Sequence, residues 1–140
     1  MKRIALLLCA VAMVSGVVTA EAQKSGPTNQ PPAKLIVDPP VPDLLAKGIV
    51  WITWRVENVN IGSMSGKEHL NASPPVGHLH IQVDDLPWLW AHMSNAPIDV
   101  ALLPPGPHKI KIELVNAVHQ GVVEQSKTVA FTIPEGASPH

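Results

Sequence analysis

Apolar residues recur at every second position in several short runs of the chain. The runs are 50–56, 79–83, 98–102, 110–114 and 129–133, and the continuous apolar stretch 35–37 is a further short candidate strand. Because successive side chains of a β-strand point to opposite faces, this period predicts strands that each bury one face. No run after the first 22 residues has the 3.6-residue period of an amphipathic helix. The pattern therefore predicts an all-β domain, an antiparallel immunoglobulin-like β-sandwich of about six to eight short strands.

Three longer connections separate the predicted strands. They cover 58–76, which is rich in Gly, Pro, Ser and Asn, 86–97, which contains Pro and a Ser-Asn pair, and 116–126, which carries His119 and Gly121. We expect an extra short strand in the second connection, in the region of Trp88 to Trp90. Connections as long as the first are usually functional or mobile. Its Met64 and His69 either reach toward the strand that follows or are ordinary loop residues.

The strand predicted at 76–83 carries two histidines on one face. His78 and His80 alternate with apolar residues, so we expect the apolar side chains to be buried and the histidines to face outward. Their Cβ atoms should lie about 6–7 Å apart on the same side of the strand. Both rings can then converge on one zinc or copper ion, which binds imidazole nitrogen at about 2.0–2.1 Å. Paired histidines also occur on ordinary polar surfaces, so a third ligand is needed.

Other histidines could supply that ligand. His119 lies in the predicted 116–126 loop, which can adapt to an ion, whereas His108 starts the 110–114 strand on its inward side. His108 competes with a second interpretation, a core-edge histidine bonded to the backbone of the neighbouring proline-rich turn. His92 and Met93 together would favour copper, because thioether sulfur suits Cu(I), or they are loop-packing residues. Asp84-Asp85 either orients a ligating histidine or is a solvated turn.

The N-terminus has the features of a secretory signal peptide. Lys2 and Arg3 precede an apolar run from 4 to 18, and the small-residue site Ala20-Glu21-Ala22 follows. We expect cleavage after Ala22, or after Ala20, and export to the periplasm or the extracellular medium. The remaining chain is predicted to comprise a flexible linker at 23–34, a β-sandwich domain at 35–134 and a disordered tail at 135–140.

Composition narrows the chemistry of the mature chain. The single cysteine, Cys9, lies in the signal peptide, which excludes disulfides, thiolate zinc sites, iron–sulfur clusters and blue-copper sites from the mature protein. Removing the charges of the signal peptide leaves 8 basic and 10 acidic residues. Without a basic patch, neither nucleic acid nor an anionic lipid surface is an expected partner. We also expect no membrane span in the mature chain, and its oligomeric state stays open.

Tryptophan offers an alternative function. Trp51, Trp88 and Trp90 could stack on sugar rings or enter a pocket of a protein partner. The same residues could instead fill the core, since the chain has no Tyr and one Phe. No nucleophile elbow, phosphate loop or His-Glu-x-x-His helix is present in the sequence. An enzyme is therefore the least supported class.

Three ordered motifs resemble those of a group of small exported bacterial β-sandwich proteins of unknown function. The motifs are Gly-His-x-His at 77–80, Leu-Pro-Pro-Gly-x-His at 103–108 and Ala-x-His at 117–119. The resemblance covers about 35–133 and implies an immunoglobulin-like fold and an exported location, without an activity. The histidines that belong to the three motifs are His78, His80, His108 and His119.

These observations predict an exported binding module that coordinates copper or zinc. We expect His78, His80 and His119 as ligands, with His108 or His92 as the fourth. The alternative is a non-catalytic interaction or carbohydrate-binding domain, in which exposed tryptophans contact a protein or glycan partner and no metal is bound.

Overall fold

The computed structural model describes residues 30–63, 66–69 and 71–137, and the chain in these ranges is mostly β-structure. A four-residue helix, α1, spans Pro42–Leu45, and a 3-10 turn spans Lys67–His69. No helix in this part of the chain has the length and apolar character needed to cross a membrane. The nine strands found there are β1 Lys34–Val37, β2 Val50–Ile52, β3 Trp54–Glu57, β4 Asn60–Ile61, β5 Val76–Val83, β6 Trp90–His92, β7 Ile98–Val100, β8 Gly106–Asn116 and β9 Gly121–Ile133.

The strands form one five-stranded sheet and two strand pairs. In the larger sheet, β8 pairs with one edge of β5, and both β4 and β6 pair with the other edge of β5. On its far side β8 pairs with β9. The pairs are β1 with β3 and β2 with β7. All of these ladders are antiparallel except the short one between β4 and β5.

One apolar core joins these sheets. The larger sheet contributes one face, and the smaller pairs contribute side chains of β1, β2 and β7. Burial of each such aliphatic side chain stabilises the fold by about 1.5–3 kcal/mol. The opposite face of the larger sheet therefore remains available for polar residues. The fully buried core residues include Leu35, Val50, Ile52, Leu79, Ile81, Ile98, Ile110, Ile112, Leu114 and Ile133.

Strand boundaries differ from the sequence prediction in three places. The single strand expected at 50–56 is broken at Thr53, because its two halves pair with different partners, β7 and β1. The strand expected at 98–102 ends at Val100; Leu102 has a φ of 66° and is 83% exposed. The long connection at 58–76 contains β4 and the 3-10 turn, elements too short to produce a period.

The largest correction concerns the loop predicted at 116–126. β9 begins at Gly121, so only 117–120 separate it from β8. The first half of β9 shows no alternation of apolar residues because the register shifts there, as in a β-bulge. Between the register pairs Glu113–Ser126 and Val115–Gly121, several β9 residues face one β8 residue. Such a bulge interrupts side-chain alternation. His119 therefore lies in a tight hairpin turn and not in an adaptable loop.

The ends of the chain are only partly described. The predicted signal peptide and positions 23–29 of the predicted linker lie outside the described residues, as do 138–140 of the predicted tail. Gln30 Nε2 donates a hydrogen bond to Ser73 Oγ at 3.1 Å, and Asn58 Nδ2 donates to the Pro32 carbonyl. Ala137 packs against the core. The described parts of both segments thus contact the domain.

Candidate metal centre

Strand β5 places His78 and His80 on the outer face of the larger sheet. Their partners across the ladder are Val115 and Glu113 of β8, and directly opposed residues of an antiparallel pair share a face. Gly77 precedes the first histidine because no side chain fits there: a Cβ would lie 2.5 Å from the Val115 carbonyl oxygen. The glycine lets β5 and β8 approach closely beside the histidines.

The turn between β8 and β9 holds His119. His119 N donates to the Asn116 carbonyl, and Asn116 N donates to the Gln120 carbonyl, which closes a three-residue hairpin loop. The Asn116 side-chain oxygen also accepts hydrogen bonds from Val118 N and Gln120 N, each at 3.0 Å. An asparagine opening a turn is a sequence signal for this arrangement. The prediction of a long loop at 116–126 did not use this signal.

His119 occupies a position that glycine usually fills. Its φ is 61°, in the left-handed region that costs a residue with a side chain about 1–2 kcal/mol. Residues other than glycine in this conformation cluster at functional sites, where the surrounding structure holds them in place. The backbone conformation directs the His119 ring toward the two strand histidines.

Three ring nitrogens converge at one point. His78 Nε2 lies 3.2 Å from His80 Nε2, which lies 3.1 Å from His119 Nδ1. One nitrogen from each ring belongs to a group whose members all lie within 4.8 Å of one another. Nitrogens bound at 2.0–2.1 Å to a tetrahedral ion lie about 3.3 Å apart. The three histidines could therefore hold a metal ion with small adjustments.

Hydrogen bonding alone does not account for this convergence. An imidazole nitrogen has one site in the ring plane, either a proton to donate or a lone pair. His80 Nε2 therefore cannot form a good hydrogen bond to both His78 and His119 at once. A cation between the rings would use all three lone pairs together.

Burial favours the uncharged form of two of the rings. Desolvation lowers the pKa of His78, and the neighbouring His80 and His119 lower it further. Desolvation and His119 also lower the pKa of His80, against an opposing effect of Glu113. Neutral imidazole is the form that binds a metal. The electrostatics therefore favour the coordinating state.

His78 lies on the outer face of the sheet with His80, as the alternation predicts, but it is buried there and not exposed to solvent. It is 1% exposed, because the His119 ring packs edge-on against it at a centroid distance of 4.8 Å. Its Nδ1 atom has no hydrogen-bond partner within the described residues. An unsatisfied buried polar atom typically costs about 1–3 kcal/mol. The buried position of this histidine is therefore costly, and a metal bound at Nε2 would leave the cost at Nδ1 in place.

The structure does not bring His108 to this group. Its Nδ1 lies 2.9 Å from Asp84 Oδ2 and its Nε2 lies 2.8 Å from the Pro104 carbonyl oxygen. Both contacts require the ring to donate, as imidazolium does, and the Asp84 bond accordingly raises the pKa of His108. The second sequence interpretation fits these contacts: His108 ties β8 to the proline-rich turn. Asp84 also accepts from Lys109 N, and Asp85 pairs with Lys109 Nζ.

The other candidate ligands from the sequence lie outside the histidine cluster or outside the described residues. His92 opposes Leu79 across β5 and β6 and so lies on the core face, where it contacts Trp54 edge-on and bonds to the Ala96 carbonyl. Met93 is exposed at the end of β6. His69 is half-buried and ends the 3-10 turn. Met64 lies outside the described residues.

The three predicted tryptophans differ in exposure. Trp88 is 55% exposed, whereas Trp51 and Trp90 are half-buried, and Trp90 packs against the core. The rings of Trp88 and Trp90 lie 6.2 Å apart between centroids. Trp90 forms part of β6, close to where an extra strand was expected. Only Trp88 therefore offers a largely free ring.

Comparison with known proteins gives a family and no activity. The model of a family of unknown function, DUF6130, matches residues 4–140. No curated protein matches the chain. No solved structure matches it either.

Proposed function

The chain belongs to the DUF6130 family of unknown function, and from its histidine cluster we propose that it is an exported protein that binds copper or zinc. The ligands are His78, His80 and His119. The observation that carries the proposal is the convergence of three ring nitrogens. His80 Nε2 lies 3.2 Å from His78 Nε2 and 3.1 Å from His119 Nδ1, and it can form a good hydrogen bond with only one of them.

Both metals accept this donor set. Imidazole suits zinc and copper alike, and the general order of stability favours Cu(II) over Zn(II) for a given set of nitrogen ligands. The proposed ligand set omits His108 and His92, because both ring nitrogens of His108 and Nε2 of His92 are used in other contacts. Neither thiolate nor disulfide chemistry is available after removal of Cys9 with the proposed signal peptide.

A titration tests metal binding. The purified protein, stripped with a chelator, is titrated with Zn(II), Cu(II) and Cu(I) in competition with a colorimetric indicator. We expect one tight site for zinc or copper per chain. The variant His80→Ala/His119→Ala should lose that site, because it removes two of three ligands while leaving the buried His78 in place. Equal binding by the wild-type protein and this variant would contradict the proposal.

Matched histidine substitutions provide the control. His92→Ala and His108→Gln each remove a ring outside the cluster, so the stoichiometry and affinity of the tight site should remain unchanged. Far-ultraviolet circular dichroism checks that every variant has the wild-type fold. A loss of metal binding in either control would place its histidine in the ligand set.

Export is supported by the N-terminal pattern. Lys2 and Arg3, the apolar run at 4–18 and Ala20-Glu21-Ala22 together form a signal-peptide arrangement. We expect protein recovered from the periplasm or medium to begin at Gln23 or Glu21 when its N-terminus is sequenced. Recovery of the intact N-terminus from the cytoplasm would contradict export.

Exposed apolar residues favour a second candidate, a protein or glycan partner. Leu86, Trp88 and Leu89 lie close together in the chain between β5 and β6, and each is exposed. Fully buried aromatic anchors typically dominate binding energy in interfaces. A blue shift of tryptophan fluorescence on addition of a glycan panel, lost in Trp88→Ala, would support it. An unchanged spectrum throughout the panel would count against the glycan form.

A further inference from the structure

Glu113 lies beside the histidine cluster and is not part of it. It is the direct cross-strand partner of His80 on the outer face of the sheet, a relation that places the two Cβ atoms about 4.5–5.5 Å apart. Its negative charge raises the pKa of His80, against the larger lowering effects of desolvation and His119. The carboxylate is therefore a near neighbour of the second ligand.

The backbone at Gly121 makes room for this carboxylate. A Cβ at position 121 would lie 3.0 Å from Glu113 Oε1, closer than side chains normally pack. Gly121 comes two residues after His119 and opens β9. One carboxylate oxygen thus lies against the start of β9, two residues beyond His119. The other carboxylate oxygen, Oε2, lies 3.4 Å from Lys111 Nζ.

The ligand count leaves a coordination position free. Among the described residues, the group able to share one ion contains three histidines and no carboxylate. Structural zinc sites are usually closed by four protein ligands, whereas three ligands leave a position for water or an exogenous ligand. His119 is exposed and His80 is half-buried, so the free position faces solvent.

We propose that a metal held by this cluster keeps a coordination position open to small exogenous ligands, and that Glu113 borders that position as a hydrogen-bond acceptor and not as a fourth ligand. The inference rests on the proposed function. Water and other ligands with a proton to donate are stabilised by the carboxylate. Small anions also coordinate there, but the carboxylate charge weakens their binding. Glu113 is therefore a positioning residue that selects among ligands.

Azide tests whether the position is open. The Cu(II)-loaded protein is titrated with sodium azide and followed by visible absorption and electron paramagnetic resonance. We expect a saturable azide-to-copper charge-transfer band and a changed copper signal. Copper uptake with unchanged spectra would show a closed site and overturn this inference while leaving metal binding intact. Failure to take up copper or zinc at all would overturn the proposed function and this inference with it.

Glu113→Gln tests the role of the carboxylate, because it removes the charge and keeps the shape. We expect azide to bind at least about 3-fold more tightly, since a like charge next to the anion is removed. Copper affinity should change by less than about 10-fold, the lower end of the effect of an outer neighbour. A loss of copper affinity of about 100-fold or more would make Glu113 a ligand and overturn its assignment as a neighbour.

Asp85→Asn is the matched control. It removes the same charge from an exposed carboxylate beyond the far end of β5, where Asp85 pairs with Lys109. Azide affinity and copper affinity should both equal those of the wild-type protein. If Asp85→Asn strengthens azide binding as much as Glu113→Gln does, the effect comes from net charge, and the local role of Glu113 is wrong.

Discussion

At the scale of single residues, the cluster depends on a glycine as much as on its histidines. Gly77 has no space for a side chain, since the nearest atom to its missing Cβ is a backbone oxygen of β8 that cannot rotate away. A β-strand interior is otherwise a poor place for glycine, which loses much conformational entropy there. Close approach of two backbones explains its presence before His78.

Gly77→Ala should therefore destabilise the protein. We expect the free energy of unfolding to fall by about 1–3 kcal/mol, the usual cost of overpacking, as measured by urea denaturation. Gly62→Ala is the matched control, because the nearest atom to its Cβ would be Val76 Cγ1 at an ordinary 3.7 Å. Similar effects at both positions would show that the Val115 carbonyl does not restrict position 77.

At the scale of elements, the β8–β9 hairpin sets the position of the third ligand. Hydrogen bonds from two backbone amides to the Asn116 side chain hold the turn that presents His119. The left-handed conformation of His119 is costly for the fold. Stability and ligand presentation therefore oppose each other at this position.

Replacement of His119 should separate the two effects. His119→Gly relieves the backbone strain and should make the metal-free protein about 1 kcal/mol more stable than His119→Ala, which keeps it. Both variants should lose metal affinity by more than about 100-fold, because removing even an outer neighbour of a ligand costs 10–100-fold. Urea denaturation and indicator competition measure the two quantities. A His119→Gly protein less stable than the alanine variant would contradict the strain argument.

At the scale of the whole molecule, two sets of histidines respond to pH in opposite directions. His78 and His80 have lowered pKa values, so their contribution to stability is present above the unfolded pKa of about 6.5 and is lost as pH falls below it. His108 has a raised pKa through its bond to Asp84. Its contribution is fully present below about 6.5 and is lost as pH rises through the folded pKa.

His108→Gln isolates the second effect. The difference in unfolding free energy between the wild-type protein and this variant should be largest near pH 5–6 and smaller at pH 8–9. The pKa of Asp84 is lowered, so its contribution is lost only as pH falls below its unfolded value and it remains charged throughout this window. Urea denaturation of both metal-free proteins at the two pH values measures the difference. A difference that grows with pH would show that His108 does not act as an imidazolium.

The local features of this protein follow from its sequence pattern alone. Alternation of apolar residues predicted a mostly β chain, since the two-residue period is a property of the strand backbone. The spacing of His78 and His80 placed them on one face for the same reason. The absence of cysteine after residue 9 limited any ligand to His, carboxylate or Met. These inferences need only the geometry of neighbouring residues.

Which distant histidines meet depends on how the strands pair in the folded domain. His119 joins the cluster and His108 does not, although both follow β5 and both belong to the motif pattern, because the register of β8 on β5 brings the 117–120 turn beside His78 and leaves His108 at the far end near Asp84. The same register opposes Glu113 to His80. Register depends on long-range strand pairing and on the bulge in β9, which no local period encodes.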